Sequence, residues 1–218
     1  MGLPLYALLK LQPYLQGAKV LSLSYPDILV PHEEIEKHFD IKVEKLTNQN
    51  VRHKIKFKLP ETFEFFEKLG ASLECVDITK VTGREKIVDL NYPQDLGKYD
   101  IVIDPGTLEH CFNIGQAMMN CAHAVKSGGR VFHISPVNMV NHGFYNICPT
   151  LMHDFYGQND WEIETLEMLN ANKIKYTDTG RFGVSMEYIL CCMARRKTEA
   201  ALKFPTQHKY LQLLEKAA

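Results

Sequence analysis

The run Asp100–Asp104 (DIVID) constrains the fold more than any other stretch. Its apolar residues show no alternation with polar ones, so it reads as a strand covered on both faces. The next segment supplies the cover. Cys111–Lys126 places Ile114, Ala117, Met118, Cys121, Ala122 and Val125 at helical spacing. Lys126 suits the negative end of that helix's dipole, and Gly128-Gly129 stops it. Arg130–Ser135 (RVFHIS) then reads as another strand. Strand, helix, strand in this order implies a parallel pair joined by a crossover, within a sheet that has helices on both faces.

The rest of the chain extends the pattern. Ala18–Ser24, Ser72–Asp77 and Lys86–Leu90 read as the first three strands, which makes DIVID the fourth and RVFHIS the fifth. Pro60–Leu69 reads as a helix with Gly70 after its end, and Thr150–Gly157 as another. Trp161–Leu169 and Met186–Ala194 read as two late strands joined by a polar stretch holding Gly180 and Gly183, hence an antiparallel hairpin at the sheet edge. Thr206 suits the cap of a terminal helix over Thr206–Ala217. The expectation is an α/β fold, a doubly wound, mostly parallel sheet of seven strands. It forms a single domain over 1–218, with an arm over 1–17, an insertion over 31–59 and a terminal helix over 206–218.

The insertion alternates Lys54, Lys56 and Lys58 with Ile55, Phe57 and Leu59. This strand periodicity has two readings: an edge strand kept soluble by its lysines, or a cationic wall for an anionic substrate such as a phosphate-bearing sugar. Over the whole chain, 25 basic residues balance 26 acidic ones, which argues against general nucleic-acid binding. No apolar run approaches a membrane span, and Met1–Gly17 lacks the basic front and cleavage site of a signal peptide. The six cysteines include no C-x-x-C pair and all but one fall in apolar-periodic segments, so they read as reduced residues of a cytoplasmic protein.

In such folds ligands sit beyond the carboxyl ends of the strands. Asp77 ends the second strand, where an acid can accept both hydroxyls of a ribose. Asp89 lies at the end of the third, where an acid can meet an adenine amino group. Asp104 ends the fourth, ahead of Pro105-Gly106-Thr107-Leu108-Glu109-His110. Any one of these acids suits a turn or a helix cap. Three at successive strand ends favour one shared ligand, because lone buried carboxylates are costly.

Lys98–Glu109 (KYDIVIDPGTLE) and Val125–Phe132 (VKSGGRVF) resemble the class I S-adenosylmethionine-dependent methyltransferases. More narrowly, Asp104–Asn113 (DPGTLEHCFN), Asn138–Tyr145 (NMVNHGFY) and Tyr25–Leu29 (YPDIL) are similar to small methyltransferase-domain proteins associated with glycan biosynthesis clusters. The resemblance spans about Ala18 to Asp160. It implies a Rossmann-like methyltransferase sheet and S-adenosyl-L-methionine as cofactor, held by Asp77, Ile78, Asp89, Leu90, Asp104 and Gly106. The family places a glycine-rich loop after its first strand, but here no glycine occurs between Gly17 and Gly70. The loop reads Ser24-Tyr25-Pro26-Asp27, and Pro26 has no N–H to offer. Either Tyr25 and Asp27 hold the cofactor differently, Asp27 on its ammonium group and Tyr25 facing the sulfonium, or the site has decayed.

A hydroxyl acceptor needs a base, and a histidine near neutrality suits the task. His110 and His142 are the candidates, with Glu109 as the orienting carboxylate. The structural alternatives are a helix cap for Glu109 and turn positions for both histidines. No metal is expected: His32 and His38 are six apart, no set has Cys₄ or Cys₂His₂ spacing, and nothing in the sequence supports the remaining alternative, an isolated divalent ion held by Asp104 and Glu109. The leading expectation is O-methylation of a sugar, glycan precursor or other small molecule, with neither nucleic acid nor membrane as partner. The alternatives are a non-catalytic binding or regulatory module on the same fold, and an RNA methyltransferase using Lys42–Lys58. The Met1–Gln16 arm and the terminal helix are apolar enough either to join a second copy in a homo-oligomer or to pack on the sheet.

Overall fold

The computed structural model describes residues 2–51, 53–170 and 188–211. Leu5–Leu11 (α1) leads into the short central strand Lys19–Ser22 (β1). His32–Phe39 (α2) opens the insertion, in which Leu46–Thr47 (β2) pairs antiparallel with Leu59–Pro60 (β3). Thr62–Lys68 (α3), Ser72–Asp77 (β4), Lys86–Ile87 (β5) and Tyr99–Asp104 (β6) come next. Ile114–Ala124 (α4), Val125–Pro136 (β7), Pro149–Gln158 (α5), Trp161–Asn170 (β8) and Tyr188–Arg196 (β9) complete the series. The main sheet has the order β5-β4-β1-β6-β7-β9-β8. β5 through β7 run parallel, and β9 and β8 form the antiparallel edge. The expected seven-stranded, mostly parallel sheet is therefore present.

β6 shows why DIVID lacks alternation. Val102 packs with Leu21, Met118, Cys121 and Tyr156 on one face, while Ile101 and Ile103 pack with Val20, Phe65, Phe66 and Phe132 on the other. Side chains still alternate along the strand, but both faces are core, so both must be apolar. α4 and α5 cover the first face; α1, α2 and α3 cover the second. Burying some twenty apolar side chains per layer is the main favourable term in the fold.

Several boundaries differ from the sequence reading. The best helix is shorter than Cys111–Lys126 because Asn113 caps it, its side chain accepting from Gln116 N–H. At the other end the buried Arg196 guanidinium donates to Val125 O at 2.8 Å and, at 3.4 Å, to Ala122 O, which also accepts from the Val125 N–H. Gly128-Gly129 does not stop a helix. It lies inside β7, where the pairing with β6 shifts between Tyr99 and Ile101. A Cβ on Gly129 would stand 2.8 Å from Asp100 O, so only glycine fits there. The third strand ends at Ile87 rather than Leu90. Lys54–Leu59 does not form a strand over its length: Lys54 has a positive φ of 55°, and only Leu59 joins β3. The three lysines are nonetheless exposed while Ile55 and Phe57 are half-buried, so the alternation sorts the faces without a ladder. The stretch joining β8 to β9, with Gly180 and Gly183, lies outside the described residues, as does most of the expected terminal helix, of which residues 208–211 are helical.

Of the free cysteines, only Cys148 is exposed. No helix among the described residues is long and apolar enough to cross a membrane.

Candidate active site

The carboxyl ends of β5, β4, β1 and β6 are neighbours, and a cleft of about 330 Å³ opens beyond them. That is within the range of small-molecule sites. Each strand sends its succeeding turn to the wall. Ser24 and Tyr25 come after β1, Asp77, Ile78 and Thr79 close β4, Asp89, Leu90 and Asn91 come after β5, and Gly106, Thr107, His110 and Cys111 come after β6.

The two cleft acids are fixed by their own turns. Asp77 Oδ1 accepts from Thr79 N–H at 3.0 Å. Asp89 Oδ1 accepts from the backbone N–H and the side-chain amide of Asn91, at 2.9 and 2.8 Å. Such turns hold a carboxylate in place while leaving its second oxygen outside the turn. The β5 loop is then pinned to α4. Asn113 donates to Asn91 O and its own N–H donates to Asn91 Oδ1, while Asn120 donates to Leu90 O and Tyr92 O. Neither asparagine stood out in the sequence, because each works through backbone carbonyls more than 20 positions away.

The other expected ligands are placed differently. Asp104 is fully buried and does not line the cleft. Its Oδ1 accepts from Thr107 N–H at 2.8 Å, closing the turn that carries Gly106 at φ 89°. Its Oδ2 lies 2.9 Å from His133 Nδ1, and the Tyr156 hydroxyl donates to His133 Nε2 at 2.6 Å. All three residues are sealed in the core. Asp27 is also buried and turned from the cleft, with Oδ2 2.7 Å from His53 Nε2. Tyr25 reaches the cleft wall, but its oxygen accepts from Thr62 N–H and its proton points to Glu61. Burial drives the Tyr25 phenol above its ordinary range, so it stays protonated. Burial, reinforced by the Asp104, Asp89 and Glu109 carboxylates, likewise pushes the Cys111 thiol up to about 12, so the cleft cysteine is no thiolate.

Beside the cleft stands a second group. The turn after β6 carries Glu109 and His110, and the loop after β7 carries His142. The Phe144 and Tyr145 N–H groups both donate to Glu109 O, and Tyr145 donates its hydroxyl proton to Phe112 O. Gly143 makes this contact feasible, since a Cβ there would lie 2.8 Å from Glu109 O. Asn141 bends the loop at φ 60°, a conformation asparagine tolerates. The Glu109 carboxylate is fully buried, with His142 Nε2 at 3.4 Å and His110 Nε2 at 3.9 Å from Oε1. The two imidazole rings are 5.1 Å apart. Burial pulls the His110 pKa below its ordinary value; Glu109 opposes this and His142 adds to it. A neutral imidazole with a lone pair on offer is the result.

No family model matches the chain, and no curated protein matches its sequence. Solved structures do match. TehB from Haemophilus influenzae aligns at TM-score 0.55 and 13% identity over 87% of this chain. The match covers 61% of TehB, so this chain spans less than two thirds of that protein's length. Thermoplasma acidophilum 1320 aligns at TM-score 0.52 and 12% identity, over 88% of both chains. A looser likeness, at TM-score 0.49 and 12% identity over 84% of this chain and 72% of the other, is to the 1,6-didemethyltoxoflavin-N1-methyltransferase of Burkholderia thailandensis with S-adenosylhomocysteine bound. The fold is the Rossmann-like methyltransferase fold.

The loop after β1 differs from the glycine-rich one that the sequence resemblance implies. It has no glycine, yet Ser24 takes a φ of 140°, a region that favours glycine. Thr107 holds it there, its hydroxyl bonded to Leu23 O and 3.2 Å from Ser24 Oγ. Ser24 thus takes a backbone angle ordinarily left to glycine.

Proposed function

We propose that the chain is an S-adenosylmethionine-dependent methyltransferase. The observation that carries this reading is the convergence of Asp77 and Asp89, each locked in its own turn, on one cleft at adjoining strand ends. These residues fit the cofactor's nucleoside. Asp77 would hold the ribose hydroxyls, Asp89 and Asn91 the adenine edge, with Ile78 and Leu90 as apolar flanks. When bound, the cofactor supplies an electrophilic methyl group on a sulfonium. The chain's own task is positioning, since displacement at that carbon needs a nucleophile about 3 Å away and in line. His110 is the side chain shared by the cleft wall and the Glu109 cluster. That favours an acceptor seated there, with proton removal assigned to the His110–His142–Glu109 group. A sugar or glycan-precursor hydroxyl suits this chemistry.

The test is calorimetry with S-adenosylmethionine and S-adenosylhomocysteine, and then methyl transfer from labelled donor. Asp77→Ala is expected to weaken binding at least tenfold. No heat at millimolar cofactor would reject the reading. One observation favours a second reading, a non-catalytic binding module. In the β1 loop Pro26 has no N–H, and Asp27 is spent on His53. That reading predicts nucleoside binding without methyl transfer to any acceptor.

A further inference from the structure

We propose that Glu109, His110 and His142 form a binding site for one divalent transition-metal ion such as zinc. Glu109 is the starting point. Asp27, Glu64, Glu85, Asp104 and Asp154 are buried as well, and each accepts at least one hydrogen bond. Among the described residues Glu109 finds none at either oxygen, and the buried Nε2 of His142 facing it finds none either. Buried polar groups are paired as a rule, so these atoms call for a partner that the described residues do not supply. Helix capping does not account for it, because Asn113 caps α4.

The spacing identifies the partner. A hydrogen bond between imidazole and carboxylate would bring the atoms to roughly 2.7–3.0 Å. Two ligands on a tetrahedral zinc, with bonds of roughly 2.0–2.2 Å, stand about 3.3–3.5 Å apart. His142 Nε2 and Glu109 Oε1 are 3.4 Å apart. His110 Nε2, at 3.9 Å, needs a shift of a few tenths of an ångström, and its side chain is half exposed. The three ligand atoms lie within 4.8 Å of one another. Two imidazoles and one carboxylate suit zinc or ferrous iron and leave a coordination position open. Linear spacing hid the set, since His142 comes from a different loop.

The use of the ion rests on the methyl-transfer reading; its binding does not. With both Nε2 lone pairs on the ion, the histidines would no longer act as base, and the ion would take over that part. An acceptor hydroxyl at the open position would lose its proton to solvent water. Its oxygen would then bond the methyl carbon as the carbon–sulfur bond breaks, with the electron pair staying on sulfur.

The experiment is titration of the full, chelator-treated chain with Zn²⁺ by calorimetry and with Co²⁺ by visible absorption. One ion per chain is expected, with the d–d bands of a low-coordinate cobalt site. His142→Ala and His110→Ala lie on exposed turns and should each weaken binding at least tenfold with the far-UV spectrum unchanged. Cys148→Ser should leave it intact. Absence of stoichiometric binding, or binding indifferent to both histidine variants, overturns the site. S-adenosylmethionine titrated into the metal-free chain separates the two proposals: cofactor binding without ion binding sinks only the metal site, and ion binding without cofactor binding sinks only the methyltransferase reading.

Discussion

Ser24 holds a backbone angle that glycine would adopt freely, and the strain of such a position is about 1–3 kcal/mol. Glycine also costs the folded state some unfolded-chain entropy, about 0.4–1 kcal/mol. A comparison of Ser24→Gly with Ser24→Ala isolates the backbone, because both variants lose the hydroxyl that faces Thr107. Ser24→Gly is expected to be the more stable by about 1 kcal/mol, read from urea midpoints. Equal midpoints would mean that the loop relaxes around any side chain. The same scale shows where reading the chain in one dimension stops. That acids stand at the ends of β4, β5 and β6 was legible, because strand ends are set by apolar runs. Which of them face the cleft was not. Asp104 is engaged by His133 and Asp27 by His53, partners 29 and 26 positions away. Nothing in local pattern marks a histidine as the mate of a distant acid.

Among the elements, the parallel strands are tied at their edge by one carboxylate. Glu74 on β4 meets Lys19 of β1 at 3.0 Å, Lys86 of β5 at 2.6 Å and the Tyr99 hydroxyl of β6 at 3.0 Å. The Lys86 bond, and after it those of Lys19 and Tyr99, outweigh burial and lower its pKa from 4.5 to about 2. A folded-state pKa below the unfolded value adds stability that is fully present above the unfolded value and fades as pH falls through the folded one. Glu74→Gln should therefore cost about 1 kcal/mol at neutral pH, a figure reduced for solvent screening at a partly exposed site. The gap between the two proteins should close between pH 4.5 and about 2. Denaturation curves at pH 7 and pH 3 check this, and a constant gap would assign the cost to packing. Element ends were the least legible features. α4 stops where Arg196 meets its carbonyls, and the register shift in β7 uses a glycine pair that also reads as a helix stop.

At the scale of the whole molecule, the alternation of strand and helix was enough to give a mostly parallel sheet with helices on each face, because only that arrangement covers both faces of strands such as β6. The insertion over 31–59 was not legible. Its order comes from Glu64 on α3, which accepts from the Glu44 and Lys45 N–H groups, beside a β2–β3 ladder only two residues long. The cleft, by contrast, is assembled from four strand ends, so a ligand seated there engages the sheet as a unit. Binding to the folded state alone, at one hundred times the dissociation constant, contributes about 2.7 kcal/mol. For a chain of this size each kcal/mol moves the melting midpoint by about 2–4 °C. S-adenosylmethionine at that excess should therefore raise Tm by roughly 5–10 °C. Asp77→Ala, whose carboxylate bonds only Thr79 among the described residues, should melt near the parent protein without cofactor and lose most of the rise with it. A rise that survives this substitution would place the ligand somewhere other than the ends of β4 and β5.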